Sequence, residues 1–153
     1  DNPQSGQNIL HITGVTTAAA STPQAGTTLI SWSKSLSTQD APIWYAIAAP
    51  NTTAQGGTGD SNIYLFDNSV SAISAGTTAS TALSSLAATS LSGNSSDGFG
   101  QSLLFADLNS DGTPELIVGS PLANQVKVYT LSGTGNNITA TLQATISTAS
   151  NNL

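Results

Sequence analysis

The chain has 153 residues, no cysteine, no arginine and only two lysines against eight acidic residues, so its formal net charge is -6. Without cysteine there is no disulfide framework, thiolate zinc site or thiol nucleophile. Nucleic-acid binding depends on clustered positive charge over the phosphates, so this composition argues against nucleic-acid partners. With a single histidine, the chain offers almost no residues from which a histidine-based catalytic centre could be built.

Hydroxyl side chains dominate the polar residues, with 23 serines and 21 threonines. Charged residues make up 7% of the chain, against about 25% in an ordinary domain. No apolar run approaches the roughly 20 residues of a membrane span. The chain begins with Asp1 and shows no basic and apolar leader. We therefore expect a processed or trimmed part of a longer protein.

Short apolar runs bounded by glycine, proline, asparagine or aspartate recur along the chain, which is typical of β-strands. Helical signals are weak because serine and threonine interrupt the alanine-rich stretches. The predicted strands, in chain order, are residues 8–12, 28–34, 43–48, 62–66, 82–87, 101–106, 115–118, 125–131 and 138–146. This series of nine short strands predicts an all-β fold.

The predicted strands form two copies of one pattern. The aligned segments are 26–32 with 100–106, 44–50 with 115–121, and 62–66 with 125–129. Each copy reads as three strands followed by a fourth, polar strand, at 81–88 in the first copy and 139–147 in the second. A four-stranded unit of about 60–70 residues is typical of a β-propeller blade.

These patterns predict an incomplete β-propeller with four-stranded antiparallel blades, about two blades plus one extra strand. Residues 1–25 would supply the outer strand of a preceding blade and a linker, 26–92 the first blade and 93–153 the second. A propeller needs roughly 4–8 blades to close. We therefore expect other blades as partners, from the same parent chain or from neighbouring copies in a homo-oligomer or filament.

The most specific motif is the segment 107–115. Oxygen-bearing side chains stand at its positions 1, 3, 5 and 9, and Gly112 permits the positive φ that folds a loop back on itself. Calcium prefers six to eight oxygen ligands. The candidate ligands are Asp107, Asn109, Asp111, the carbonyl of Thr113, and Glu115. The alternative is an Asx-type turn between two strands. An EF-hand is excluded because Val118, at position 12, is not a glutamate and lies in a predicted strand.

The order of elements over residues 98–131 resembles an FG-GAP repeat, a family named for its Phe-Gly and Gly-Ala-Pro elements. Phe99 and Gly100 match the first element, and Gly119-Ser120-Pro121 stands where Gly-Ala-Pro is usual. The family builds the propellers of integrin alpha chains and related extracellular proteins. The resemblance implies the same Ca²⁺ ligands in the second blade, although glutamate at position 115 replaces the more usual aspartate.

The first copy keeps the strands but not the site, so we predict a degenerate FG-GAP blade without metal. The residues aligned with the calcium motif are Leu36, Thr38, Asp40, Ala41 and Trp44. Only one carboxylate remains among them. We interpret Asp40 as an ordinary turn residue.

The expected function is a non-enzymatic, extracellular, calcium-binding propeller module with a structural, adhesive or surface-assembly role, filament formation included. The alternative is an accessory, non-catalytic propeller segment of a larger secreted hydrolase or receptor. No catalytic residue is predicted, since His11 has no acid or second histidine nearby. Asn51, Asn94 and Asn137 begin N-x-[ST] sequons that could accept N-glycans in a secreted eukaryotic protein.

Overall fold

The computed structural model describes residues 11–13, 28–33, 43–50, 61–67, 80–82, 87–94 and 96–148. In these ranges the chain forms β-strands and two short 3-10 turns, Pro121–Ala123 and Gly135–Asn137, with no α-helix. The strands are β1 (His11–Thr13), β2 (Thr28–Ser33), β3 (Ile43–Ala49), β4 (Ser61–Asp67), β5 (Ser80–Ala82), β6 (Thr89–Gly93), β7 (Ser102–Ala106), β8 (Glu115–Ser120), β9 (Gln125–Ser132) and β10 (Thr139–Ser147).

Two four-stranded antiparallel sheets make up most of the described structure. The first sheet has the order β2-β3-β4-β6, and the second has the order β7-β8-β9-β10. In each sheet, neighbouring strands follow one another along the chain. The one exception is β5, which lies between β4 and β6 in the sequence but does not belong to the first sheet. This topology confirms the predicted all-β fold and is compatible with blades of an incomplete propeller.

The fourth strand of the first sheet was predicted wrongly. It lies at β6, where Leu91 is opposite Ile63 of β4, and not at residues 81–88. Alternate side chains of β6 are partly buried, beginning with Thr89. Serine, threonine and alanine fill both segments almost equally, so the polar sequence offers little apolar contrast by which to choose between them.

The extra strand also differs from its prediction. Residues 11–13 form β1, which pairs in parallel with β5 as a separate two-stranded sheet. Residues 8–10 and the predicted linker at 14–25 lie outside the described part of the chain. Within that part, β1 joins neither four-stranded sheet.

The two sheets have the same cross-strand register. In antiparallel sheets, residues directly opposite one another share a face. One row across the first sheet contains Ile30, Ala46, Leu65 and Thr89. The row at the aligned positions of the second sheet contains Leu104, Ile117, Val128 and Ala144. The sequence alignment of the two copies therefore agrees with their three-dimensional register over the first three strands.

The two sheets enclose one hydrophobic core between them. We call the two faces that line this core the inner faces. The first sheet contributes Trp44, Ala46, Ala48, Ile63 and Leu65, and the second contributes Phe105, Leu116, Val118, Tyr129 and Leu131. Burying a side chain of this size is worth roughly 1.5–3 kcal/mol. Sheet-on-sheet burial is therefore the main source of stability in the described structure.

Phe99 lies in this core and is fully buried. It precedes β7 and packs closely against Gly93 at the end of β6. The Lys127 ammonium lies 5.4 Å from the centroid of the Phe99 ring, a distance at which a cation and an aromatic face attract each other. Phe99 thus connects the end of the first sheet with the second.

Polar contacts also join the sheets. The buried Asp67 carboxylate at the end of β4 accepts a hydrogen bond of 2.7 Å from the Gly135 N–H. The Thr28 hydroxyl donates to the Gln101 carbonyl at 3.3 Å.

Burial raises the pKa values of the Tyr64 and Tyr129 hydroxyls. Both tyrosines are therefore neutral at physiological pH.

The close contact between Gly93 and Phe99 yields a first prediction. A Cβ atom added at Gly93 would overlap the Cβ and Cγ atoms of Phe99, whose side chain is fully buried. We expect Gly93→Ala to lower the free energy of unfolding by about 1–3 kcal/mol, the usual cost of overpacking. Chemical denaturation measures this change. Ser90→Ala, at an exposed position of the same strand, is the control, and an equal loss in both variants would contradict the packing argument.

Ser120 yields a second prediction, because its buried hydroxyl has no hydrogen-bond partner within the described structure. Removing an unsatisfied buried polar group while keeping the shape is neutral or stabilising. We expect Ser120→Ala to raise the free energy of unfolding by about 1 kcal/mol and the Tm by about 3 °C.

Ser132→Ala is the matched control for Ser120→Ala, since the Ser132 hydroxyl lies 2.7 Å from that of Thr139. It should leave the Tm unchanged or slightly lower. A fall in Tm for Ser120→Ala would show that its hydroxyl is satisfied.

Candidate calcium-binding loop

The candidate loop connects β7 to β8 and begins directly after the buried strand residue Phe105 and the partly buried Ala106. The backbone takes left-handed conformations at Ser110 (φ 59°) and Gly112 (φ 87°). Glycine adopts such a conformation without steric cost. These two positions let the chain turn back within a few residues and enter β8 at Glu115.

Side-chain oxygens of the loop accept hydrogen bonds from its own backbone. Asp107 accepts from the N–H groups of Asp111 (3.1 Å) and Gly112 (2.9 Å). Asn109 Oδ1 accepts from the Asp111 N–H at 2.9 Å, and Asp111 Oδ1 accepts from the Thr113 N–H at 2.7 Å. The last two bonds span two residues and are Asx turns. The loop therefore has the features of the alternative interpretation, an Asx-type turn.

Glu115 closes the loop from the first position of β8. Its side chain is buried, with Oε2 accepting a 2.8 Å bond from the Leu108 N–H and Oε1 accepting a 3.4 Å bond from the Asn109 side-chain amide. The same amide group donates to Asp111 Oδ2 at 2.9 Å. The partly positive amide thus lies between two carboxylates and reduces their mutual repulsion.

The structure brings the predicted ligands together in one hydrogen-bond network, which Thr113 enters through its N–H group. It does not show a preassembled metal centre: no group of three or more histidine, aspartate or glutamate side chains in the described ranges has an arrangement that could hold a metal ion. The donor types nevertheless fit a hard cation, because carboxylate, amide and carbonyl oxygens are the ligands that calcium prefers.

The network contains two interactions that the sequence did not predict. One is the Leu108 N–H bond to Glu115, and the other is the bridging role of the Asn109 amide. The spacing of oxygen-bearing residues in the motif indicates which residues are potential ligands. It does not show which backbone donors they face.

The equivalent position in the first sheet is occupied by Trp44. Trp44 lies opposite Trp32 and Asp67, whereas Glu115 lies opposite Ala106 and Thr130. Trp44 is buried in the core between the sheets. The rest of the degenerate loop, including Leu36, Thr38, Asp40 and Ala41, lies outside the described residues, so the absence of a metal site there stays a prediction.

The Phe-Gly and Gly-Ser-Pro elements lie side by side in the structure. The Gly100 N–H donates to the Gly119 carbonyl at 3.0 Å, and the Leu122 N–H donates to the Asp97 carbonyl at 3.1 Å. A Cβ atom at Gly119 would overlap the hydroxyl of Ser102, which is an exposed side chain, so the two strands approach closely at this position. The two sequence elements are therefore joined by backbone hydrogen bonds at one end of the second sheet.

The family comparison agrees with this geometry. The sequence model of the FG-GAP repeat matches residues 99–136, which run from Phe99 through β7, the candidate loop, β8 and β9. The chain thus contains an FG-GAP repeat in its second sheet. No curated protein and no solved structure matches the chain.

An FG-GAP repeat points to a propeller-type module. Such repeats are typically non-catalytic and occur in extracellular or surface proteins. Among the described residues there is no helix of the length and apolar character needed to cross a membrane.

The double acceptor role of Asp107 yields a third prediction. Asp107→Ala leaves the Gly112 N–H without its partner and removes one of the two acceptors of the Asp111 N–H, so we expect a loss of about 1–3 kcal/mol in the free energy of unfolding. Asp107→Asn retains one acceptor oxygen and should lose less. Denaturation in the presence of a chelator measures both variants without any contribution from a metal. Equal stability of Asp107→Ala and the parent chain would show that these bonds do not hold the loop.

Proposed function

We propose that the protein is a non-enzymatic, extracellular FG-GAP module that binds calcium and has a structural, adhesive or surface-assembly role. The observation that carries this proposal is the loop of four oxygen-bearing side chains, joined in one hydrogen-bond network, within a recognised FG-GAP repeat. In this role calcium supplies charge neutralisation and additional coordination that fix the loop.

Calcium would be held by the loop residues and not by a catalytic centre. The proposed ligands are Asp107, Asn109, Asp111, Glu115 and the carbonyl of Thr113. In the structure, the Asn109 amide already compensates part of the negative charge of Asp111 and Glu115. A cation would compensate that charge more strongly, because three carboxylates lie within nine residues.

A location outside the cell is supported by the occurrence of FG-GAP repeats in extracellular or surface proteins. Two of the three sequon asparagines, Asn94 and Asn137, are described and are exposed. The Asn94 amide donates to Asp97 at 3.2 Å. Asn51 lies outside the described residues. We propose that the exposed sequons are acceptors for N-glycans if the source cell carries out this modification.

The calcium proposal gives a fourth prediction. Extracellular calcium modules bind with Kd values of about 10⁻⁴–10⁻³ M. At free calcium tenfold above the Kd, the free energy of unfolding should rise by about 1.4 kcal/mol, equivalent to a Tm increase of roughly 3 °C. Thermal unfolding with calcium and with a chelator measures the difference, and calorimetric titration measures the Kd directly.

Glu115→Gln is the sharpest variant for this test. A glutamine side chain retains an oxygen that can accept from the Leu108 N–H and loses only the long bond from the Asn109 amide, so the basal Tm should fall by no more than about 3 °C, while the lost negative charge removes the calcium-dependent increase. Asp97→Asn, outside the loop, is the control and should keep that increase. If the parent chain shows no calcium-dependent Tm shift at millimolar calcium, the calcium proposal is wrong.

A further inference from the structure

The side-chain amide of Asn109 lies between two carboxylates of the candidate calcium loop. Its nitrogen donates to Asp111 Oδ2 at 2.9 Å and to Glu115 Oε1 at 3.4 Å. Its oxygen points the other way and accepts from the Asp111 N–H at 2.9 Å. Both ends of the amide are therefore hydrogen bonded, and the nitrogen end faces the negative charge.

The orientation of this amide follows from its partners. An ionised carboxylate only accepts hydrogen bonds, and a backbone N–H only donates them. Turning the amide over would place its oxygen against the two carboxylates and its nitrogen against the Asp111 N–H. Both contacts would be repulsive, so the loop itself holds the Asn109 nitrogen between Asp111 and Glu115.

Calcium requires the opposite orientation of Asn109. The ion is bound by oxygen atoms, and the partly positive N–H groups of an amide repel it. For Asn109 to act as a ligand beside the same two carboxylates, its oxygen must replace its nitrogen between them. The amide nitrogen and the cation therefore compete for one position in the loop.

The arrangement of the acidic side chains agrees with this competition. Among the residues that the structure describes, no three acidic or histidine side chains are grouped so that they could hold a metal ion. The Asp107 carboxylate is directed at the N–H groups of Asp111 and Gly112, and the Asn109 amide bridges the other two carboxylates of the loop. Calcium binding must therefore rearrange these side chains.

We propose that the Asn109 amide is an internal substitute for the cation, and that calcium binds only by displacing its nitrogen from between Asp111 and Glu115. The loop then has two exclusive arrangements, one bridged by the amide and one bridged by calcium. This inference rests on the calcium binding proposed above. It assigns to Asn109 the role of setting how strongly the loop depends on calcium.

The competition has two opposite effects. The amide bridge lowers the repulsion between Asp111 and Glu115, so it stabilises the loop when calcium is scarce. The same bridge must be broken before the cation enters, so it weakens calcium binding. A residue that served only as an oxygen ligand would have neither effect.

Asn109→Asp tests this role with almost no change of shape. Aspartate keeps an oxygen that accepts from the Asp111 N–H, but it has no side-chain N–H and adds a negative charge. In chelator the Tm should fall by about 3 °C or more, because nothing bridges the carboxylates. In calcium the affinity should rise about tenfold, which would roughly double the calcium-dependent Tm increase at free calcium ten times the Kd of the parent chain. Thermal unfolding of both chains in calcium and in chelator measures these effects.

Asn94→Asp is the matched control. The Asn94 amide also donates to a carboxylate, Asp97 Oδ2, at 3.2 Å, but it lies outside the loop. This variant loses an amide bond and gains the same charge, so any change in its Tm should be equal in calcium and in chelator. An Asn109→Asp chain whose calcium-dependent increase is no larger than that of the parent chain would overturn the proposal.

The same measurements separate this inference from the calcium proposal. If only the Asn109→Asp chain shows a calcium-dependent Tm shift, calcium binding by the parent chain is overturned and the competition is supported. If the parent chain shows the shift and the variant shows no larger one, the competition alone is overturned. If neither chain shows a shift, both proposals are wrong.

A second measurement uses the parent chain and does not depend on the stability of the variant. Nuclear magnetic resonance follows the side-chain amide protons of Asn109 during a calcium titration. Their signals should shift and their exchange with water should become faster, because their bonds to the carboxylates of Asp111 and Glu115 are lost. Side-chain signals that stay in place while the backbone N–H signals of the loop shift would overturn the proposal.

Discussion

The packing of two β-sheets around Phe99 is the constraint on which the remaining structure depends. A single four-stranded sheet with few charged residues has no core of its own. Here the inner faces of both sheets supply one another with that core, and Phe99 fills the junction between β6 and β7. The small size of Gly93 is a consequence of this arrangement, because the ring occupies the volume that a side chain would need. The Asp67 bond to Gly135 then fixes the sheets at their margin.

The candidate loop depends on the same packing. Leu116 and Val118 of β8 are buried in the core, so the start of β8 has a fixed position, and Glu115 lies on the opposite face of the strand because successive residues alternate. Glu115 therefore projects from a rigid strand, and Asp107 follows another rigid strand, β7. The loop between them closes through Asx turns and two left-handed residues. This arrangement places several oxygen atoms close together on a stable framework, which is the structural basis for proposing calcium there.

The sequence predicted correctly those strands in which an apolar run is clearly set apart from its polar neighbours. The central strands β3, β4, β8 and β9 each contain buried apolar side chains bounded by polar turn residues, and their alignment reproduces the observed register. The same reasoning failed for β6, because neither residues 81–88 nor 89–93 carry a strong apolar pattern. It also missed the parallel pairing of β1 with β5, because strands of three residues are too short to show a recognisable sequence pattern. For the loop, spacing indicated which residues carry oxygen, but the amide bridge of Asn109 depends on backbone geometry that the sequence leaves open.

At one register position the first sheet has Trp44 and the second sheet has Glu115. This difference explains how the roles of the two similar sheets differ. Trp44 faces the core, because the face that carries it is covered by the second sheet. Glu115 lies on the equivalent face of the second sheet, where no third sheet is present in the described structure. A carboxylate at the end of an apolar face tolerates burial only when its oxygens are bonded, and both oxygens of Glu115 are bonded by the loop. The loop therefore does more than gather oxygen atoms, because its hydrogen bonds also satisfy a carboxylate that is buried on the face of the second sheet opposite the core.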